Sequence, residues 1–310
     1  MVADFLTKDQ VCGKNCLSIF KRYGTNAAVT DISILLGCGV TNNHTSDSIF
    51  NDFDTRSADY YTKTKSNSRV IAISSYGFGY NGEKSLDDRF VGIRPILNYS
   101  DIVDNSYDRR ISDKEVLEVK FGEYPQTICV SNMCRELEQL YNSGALIESG
   151  KKYSFDSNIV GDFSIKEYSE YLHEGKKYIR FTADRDLLRT KLSDKNYIEY
   201  NKAYWVNVEP IIWLIDLDEN IAVSKKILIA GIPFDKNYDS DFEHTDIFDY
   251  LNNYFVNEIL SSDVIKKESK TDLLKKQLDD LSLEELQELR LIVEEKMREK
   301  VKVRSIGGIK

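Results

Sequence analysis

The 310-residue chain holds only four prolines, three histidines and two tryptophans. Pro95, Pro125, Pro210 and Pro233 each border a strand-like run, and none interrupts a helical pattern, as expected of a residue with a fixed φ and no N–H. No apolar run approaches the ~20 residues of a membrane-spanning helix. The opening MVADFLTKDQV has neither a basic start nor a long apolar stretch, so no signal peptide is read. The expectation is a cytoplasmic product with no membrane partner. The five cysteines, Cys12, Cys16, Cys38, Cys129 and Cys134, form no CxxC pair, and no histidine lies near them in sequence. They read as reduced thiols rather than zinc ligands. His44, His173 and His244 stand isolated along the chain. No GxSxG elbow occurs. GFGYNG at 77 to 82 lies between strand-like runs rather than before a helix, so its glycines serve turns, not a phosphate. The acids of 216 to 219 lack EF-hand spacing. No catalytic residue, metal or cofactor is expected.

What is present is acid and tyrosine. The net charge is −9 and there are nineteen tyrosines. An acidic chain does not suit a phosphate backbone, which excludes direct nucleic-acid binding. It suits a protein or glycan partner, or a decoy for a nucleic-acid-binding surface. Tyrosine gives rigid contact area to recognition surfaces, and is equally favoured within strands.

The patterning changes along the chain. Residues 1 to 39 read as helical, with Thr7 capping one helix and Thr30-Asp31 starting another that stops at GCG, 37 to 39. Residues 40 to 58 read as a long polar loop. DYYTKT, SRVIAISSYG and FVGIRPILNY then read as strands. Residues 103 to 114 are charged and read as a linker. VLEVKFGEYPQT reads as a strand turning at Pro125, followed by a helix over about 131 to 143. YWVNVEPIIWLIDLDENIAVSKKILIAGIPF reads as strands with a turn at DLDEN. TDIFDYLNNYFVNEIL reads as an amphipathic helix capped by Thr245 or Asp246.

From Asp263 onward there are 12 Lys+Arg and 11 Asp+Glu, a net of +1, so the rest carries −10. A capping box at Ser282 and Glu285 starts a helix whose Leu286, Leu289, Val293 and Met297 make one stripe. That stripe predicts a homo-oligomer contact.

Several of these segments carry a resemblance. KFGEYPQT (120–127), YWVNVEPIIWLI (204–215), SKKIL (224–228) and DIFDYLNNYF (246–255) resemble one half of an uncharacterised bacterial and phage domain family. That family is similar to the C-type-lectin-like fold of sulfatase-modifying factors. FLTKDQV (5–11), RYGTNAAVTDISILLG (22–37), DYYTKT (59–64) and VGIRPILNY (91–99) resemble its other half. The order of the halves is reversed. The resemblance therefore implies an α+β fold, a C-type-lectin-like domain with a small twisted antiparallel sheet and flanking helices. It would be one circularly permuted domain over 1–262, with halves 1–102 and 115–262, a linker at 103–114 and a helical tail at 263–310.

Catalytic members of that superfamily use cysteines just before the closing arginine motif. None lies between Cys38 and Cys129 here, so the resemblance brings no such reaction. It implies structural roles for Arg94, Trp205, Glu209 and Trp213, with Arg94 and Glu209 as a candidate buried pair. It places a ligand surface just before the arginine motif, at Tyr60, Tyr61, Tyr76, Phe78, Tyr80, Asp87, Asp88 and Arg89. These rings read either as a recognition face or as core. The expected function is non-catalytic binding of a protein or glycan by a phage- or mobile-element-encoded protein. The alternatives are a virion or tail component, and an acidic inhibitor of a host nucleic-acid-binding enzyme.

Overall fold

A computed structural model describes residues 1–42, 56–75, 81–156, 165–184, 187–236 and 241–261. Tyr76, Phe78, Tyr80 and the stripe Leu286, Leu289, Val293 and Met297 lie outside the described residues.

Helices begin where the capping chemistry stands. Thr7 Oγ1 accepts from Gln10 N while the Gln10 side chain accepts from Thr7 N, a capping box opening α1 (Lys8–Cys12). α2 (Ser18–Tyr23) ends at Gly24, whose φ of 81° needs glycine. β1 (Ala28–Val29) leads to Thr30, whose hydroxyl caps α3 (Asp31–Leu35). β2 (Val40–Asn42) and β3 (Arg56–Ala58) follow, then β4 (Tyr60–Ser66), β5 (Arg69–Ile73) and β6 (Asn81–Ser85), which form a three-stranded antiparallel sheet. β7 (Ile96–Asn98) runs into the short α4 (Tyr99–Ile102).

The linker expected at 103–114 instead holds a strand, β8 (Tyr107–Ile111), paired to β9 (Leu117–Ile128). Every residue of β8 is exposed, so it carries no buried alternation for sequence patterning to detect. β9 also does not turn at Pro125. It continues to Ile128, and α5 (Ser131–Asn142) comes next. β10 (Ile147–Asp156), β11 (Ile165–His173), β12 (Lys176–Thr182), β13 (Leu187–Lys191) and β14 (Tyr197–Ile198) precede the long β15 (Ala203–Asp216). Pro210 lies inside β15, opposite Glu123. Register shifts between Asn207 and Val208 and between Pro210 and Ile212 absorb the prolines' missing donors.

β15 organises the main sheet of eight antiparallel strands. β9 pairs along one edge over residues 206 to 215 of β15; on the other edge, β12 pairs with 203 to 207 and β16 (Ile221–Ser224) with 213 to 216. β7 closes beside β16, with Leu97 opposite Ala222. Strands from both sequence blocks thus share one sheet. β17 (Lys226–Ile227) pairs with β1 in parallel, again across the blocks.

α5 covers one part of this sheet, where Leu137, Cys129, Tyr178 and Trp205 pack together. The segment from Thr245 begins as α6 (Asp246–Asp249), capped by Thr245 Oγ1, and continues as a π-helix over Tyr250–Leu260. Its buried Leu251, Phe255, Val256, Ile259 and Leu260 recur every four to five residues. Phe255 meets Tyr124 edge to face. Gly122, at φ 72°, lies under Leu260, whose Cδ2 would be 2.4 Å from an added Cβ. Only glycine fits both the dihedral and that approach. Asn252 accepts from Ala3 N at 2.9 Å and donates to Ala3 O at 3.0 Å. Residues Met1–Ser261 form one compact unit. The architecture is mixed α+β, mostly sheet with few helices. Among the described residues no helix is long and apolar enough to cross a membrane.

Candidate functional site

The sequence-predicted ligand face divides in two. Tyr60 and Tyr61 are core residues, each 1 % exposed, which corrects their reading as surface rings. Successive side chains of β4 point to opposite faces, and both faces are covered. Tyr60 donates to Thr25 O at 2.8 Å and turns its ring to Arg94. Tyr61 packs edge to face on Phe234 and donates to Asp88 O. Burial pushes the Tyr60 phenol up to about 12 against the opposing pull of Arg94.

Tyr61 therefore anchors the turn after β6 from beneath. Asp87 is exposed there and accepts from Ser85 Oγ. Asp88 Oδ1 accepts from Phe90 N at 2.8 Å, and Arg89 O from Gly231 N at 3.2 Å. Phe90, outside the predicted set, stands 57 % exposed. Asp87, Asp88 and Arg89 are thus on a braced turn apart from the buried Tyr60 and Tyr61 rings, with Asp87 exposed and Asp88 and Arg89 half-buried.

The four structural candidates are all built into the frame. Arg94 is 2 % exposed. Its Nε donates to Ser224 O at 2.8 Å, and the guanidinium lies over the rings of Phe20 and Tyr60 at 5.2 and 5.4 Å. Burial pulls its pKa down. Aromatic faces, not a carboxylate, receive this cation, and no ion pair joins it to Glu209 among the described residues. The expected Arg94–Glu209 pair does not form. Trp213 donates to Phe121 O at 2.8 Å, and Trp205 to Glu138 Oε2 at 2.9 Å. Glu138 also takes Arg180 in a two-point pair at 3.0 and 2.7 Å. That hydrogen bonding to Arg180 holds the Glu138 carboxyl below its ordinary range.

Glu209 instead accepts from Thr127 Oγ1 at 2.6 Å and lines a cavity of about 280 Å³ beside the bulged part of β9 and β15. Gln126 Nε2 donates to Glu209 O and Pro210 O, both at 3.0 Å, and so fastens the bulge. Lys120, Lys225 and Lys226 complete the polar lining. Lys120 pairs with Asp108 at 2.5 Å and Lys225 with Glu118 at 3.0 Å. Lys226 makes no ion pair among the described residues. Sequence reading missed this cavity because its lining comes from positions 120, 126 and 209 of the main sheet and 226 of the β1–β17 sheet, brought together only by the fold.

None of the five cysteines forms a disulfide. Burial raises Cys16 and Cys38. The hydrogen bond to Cys134, then burial, raises Cys129, and the same bond lowers Cys134. Of the histidines, His44 lies outside the described residues. His173 is isolated only in sequence: its Nε2 lies 3.0 Å from Glu136 Oε1, with Glu174 alongside.

Compared with protein-family models, curated proteins and solved structures, the chain matches none of them.

Proposed function

We propose that the chain is a non-catalytic recognition protein that takes a protein or glycan ligand, with the cavity beside Glu209 seating the ligand's polar end. One observation carries this reading. A concave site of about 280 Å³ presents Lys226 and Glu209 from strands of two sheets, with the buried Gln126 fixing the bulge beside them. Its size approaches the ~300–1,000 Å³ of small-molecule sites, where a few fixed polar groups set orientation. Lys120 and Lys225 already have carboxylate partners, so Lys226 and Glu209 are the charged groups left to meet a ligand, which suits an end group with a carboxylate or a row of hydroxyls. Such an end group belongs to an acidic side chain or a sugar. The turn at 87–90, with Phe90 exposed on a braced backbone, offers a second contact of the aromatic kind common in interfaces. The pairing of β7 with β16 and of Ala3 with Asn252 supports a C-type-lectin-like domain with permuted halves, a fold type that serves many ligands.

The test is array binding of the full chain to glycans and to acidic peptides, repeated with Lys226→Glu and Glu209→Gln. The expected result is a ligand class held by the native chain and weakened at least tenfold by Lys226→Glu. A ligand held equally by both variants, or no ligand in either array, would overturn the reading.

A further inference from the structure

We propose a second, separate site: Glu136, His173 and Glu174 bind a divalent transition-metal ion of the zinc class where α5 meets the β11–β12 hairpin.

The three side chains come from two rigid elements. α5 is fixed by Leu137, which is 0 % exposed, and by the Glu138 carboxylate that takes both Arg180 and Trp205. The hairpin closes with His173 opposite Lys176. Its two central residues, Glu174 and Gly175, have φ of 49° and 74°, the pair of positive values that defines the tightest hairpin turn. This turn aims Glu174 at the helix beside its neighbour His173. One ligand atom from each of the three residues lies within 4.8 Å of the others.

The chemistry of the set selects the ion. One imidazole with two carboxylates suits zinc and its first-row neighbours, whereas calcium and magnesium take all-oxygen shells. Ligand atoms about 2 Å from a tetrahedral zinc stand a little over 3 Å apart. His173 Nε2 and Glu136 Oε1, at 3.0 Å, already have that spacing. Glu174 is exposed and reaches it by side-chain rotation. The imidazole is held firmly, its side chain only 16 % exposed.

Charge points the same way. Two carboxylates face one imidazole, and among the described residues neither forms an ion pair with any lysine or arginine. Lys176, the nearest cation along the hairpin, is no exception. A divalent cation removes this excess. Three protein ligands leave a fourth position for water.

The test uses the full native chain, reduced and freed of metal by a chelator. Zinc uptake is measured calorimetrically for it and for Glu136→Gln, His173→Gln and Glu174→Gln, with circular dichroism to verify folding. Cobalt(II) absorption then identifies the donors, because thiolates give a charge-transfer band that imidazole and carboxylates do not. The expected result is one equivalent of zinc, no thiolate band, and at least tenfold weaker uptake in each variant. No uptake by the native chain, meaning that His173 simply hydrogen-bonds to Glu136, overturns the proposal. So does uptake that His173→Gln leaves unchanged, or a thiolate band showing that the cysteines hold the metal.

Discussion

Replacing Asp31 by asparagine tests the arrangement that joins the two sequence blocks. Asp31 opens α3, and its side chain is wholly buried. Its Oδ1 accepts from Arg56 Nη1 at 2.5 Å and Ser193 N at 2.8 Å. Its Oδ2 accepts from Ile128 N at 2.9 Å and Ser193 Oγ at 2.5 Å. Donors from three distant segments thus converge on one carboxylate, and each oxygen serves two of them. Asparagine keeps the shape, but either orientation of its amide turns an NH2 group toward two donors. At least one buried backbone N–H then loses its acceptor, at about 1–3 kcal/mol. Arg56, whose side chain is 10 % exposed, loses the opposing charge. Removing one partner of a buried pair costs about 3–5 kcal/mol in all. At roughly 2–4 °C per kcal/mol for a domain of this size, the melting temperature should fall by roughly 6–20 °C. Urea denaturation followed by the fluorescence of Trp205 and Trp213 reads the loss directly, since both rings are buried. The double variant Asp31→Asn with Arg56→Met should recover part of it, because no cation is then left buried without its partner while the amide still accepts from some of the donors. A cost for Asp31→Asn below about 1 kcal/mol would refute the reasoning, since a buried acceptor of four hydrogen bonds cannot be exchanged that cheaply.

Two further outcomes follow from residues of the candidate site and its frame. Tyr61→Ala should lower stability by about 3–5 kcal/mol, as for other large buried rings, whereas the exposed Asp87→Ala should stay within about 0.5 kcal/mol; equal effects in chemical denaturation would contradict their placement. For Glu138 the folded-state pKa is depressed, chiefly by its hydrogen bonds with Arg180. Its stabilisation is therefore present above the unfolded carboxyl value, near 4.3 for glutamate, and is lost as pH falls through the lower folded value. Melting temperature against pH in acid should be flatter for Glu138→Gln than for the native chain, and Trp205 emission should shift as its carboxylate acceptor is protonated.

The helix starts were legible because their chemistry is local: Thr7 with Gln10, Thr30 with Ser33 and Thr245 with Phe248 are all contacts three residues apart. The strand runs of the second block were legible too, although their prolines were misplaced to strand ends, since a bulge reveals itself only through the partner strand. β8 was hidden by exposure. For Tyr60 and Tyr61 the sequence left recognition face and core both open, and the choice falls to core because β4 is covered on both faces at that end. Arg94 was read as a candidate partner of Glu209, a pair that does not form. The company of Arg94 is Phe20, Tyr60 and Ser224 O, the last 130 residues away. The Glu136–His173 contact spans 37 residues and two elements, so no spacing rule could find it.

The bond between Ala3 and Asn252 has a bearing on how the chain folds as it is made. The two residues are separated by 249 positions. At roughly 5–20 residues per second, a ribosome needs about 12–50 s to pass from one to the other. During that interval β7 waits for β16, Arg94 for the Ser224 carbonyl, and Thr30 for Ile227. The apolar side chains of the first hundred residues are meanwhile synthesised without the surfaces that cover them. This domain cannot assemble progressively from its leading end. It closes late, when its trailing strands arrive, and until then those side chains stay uncovered.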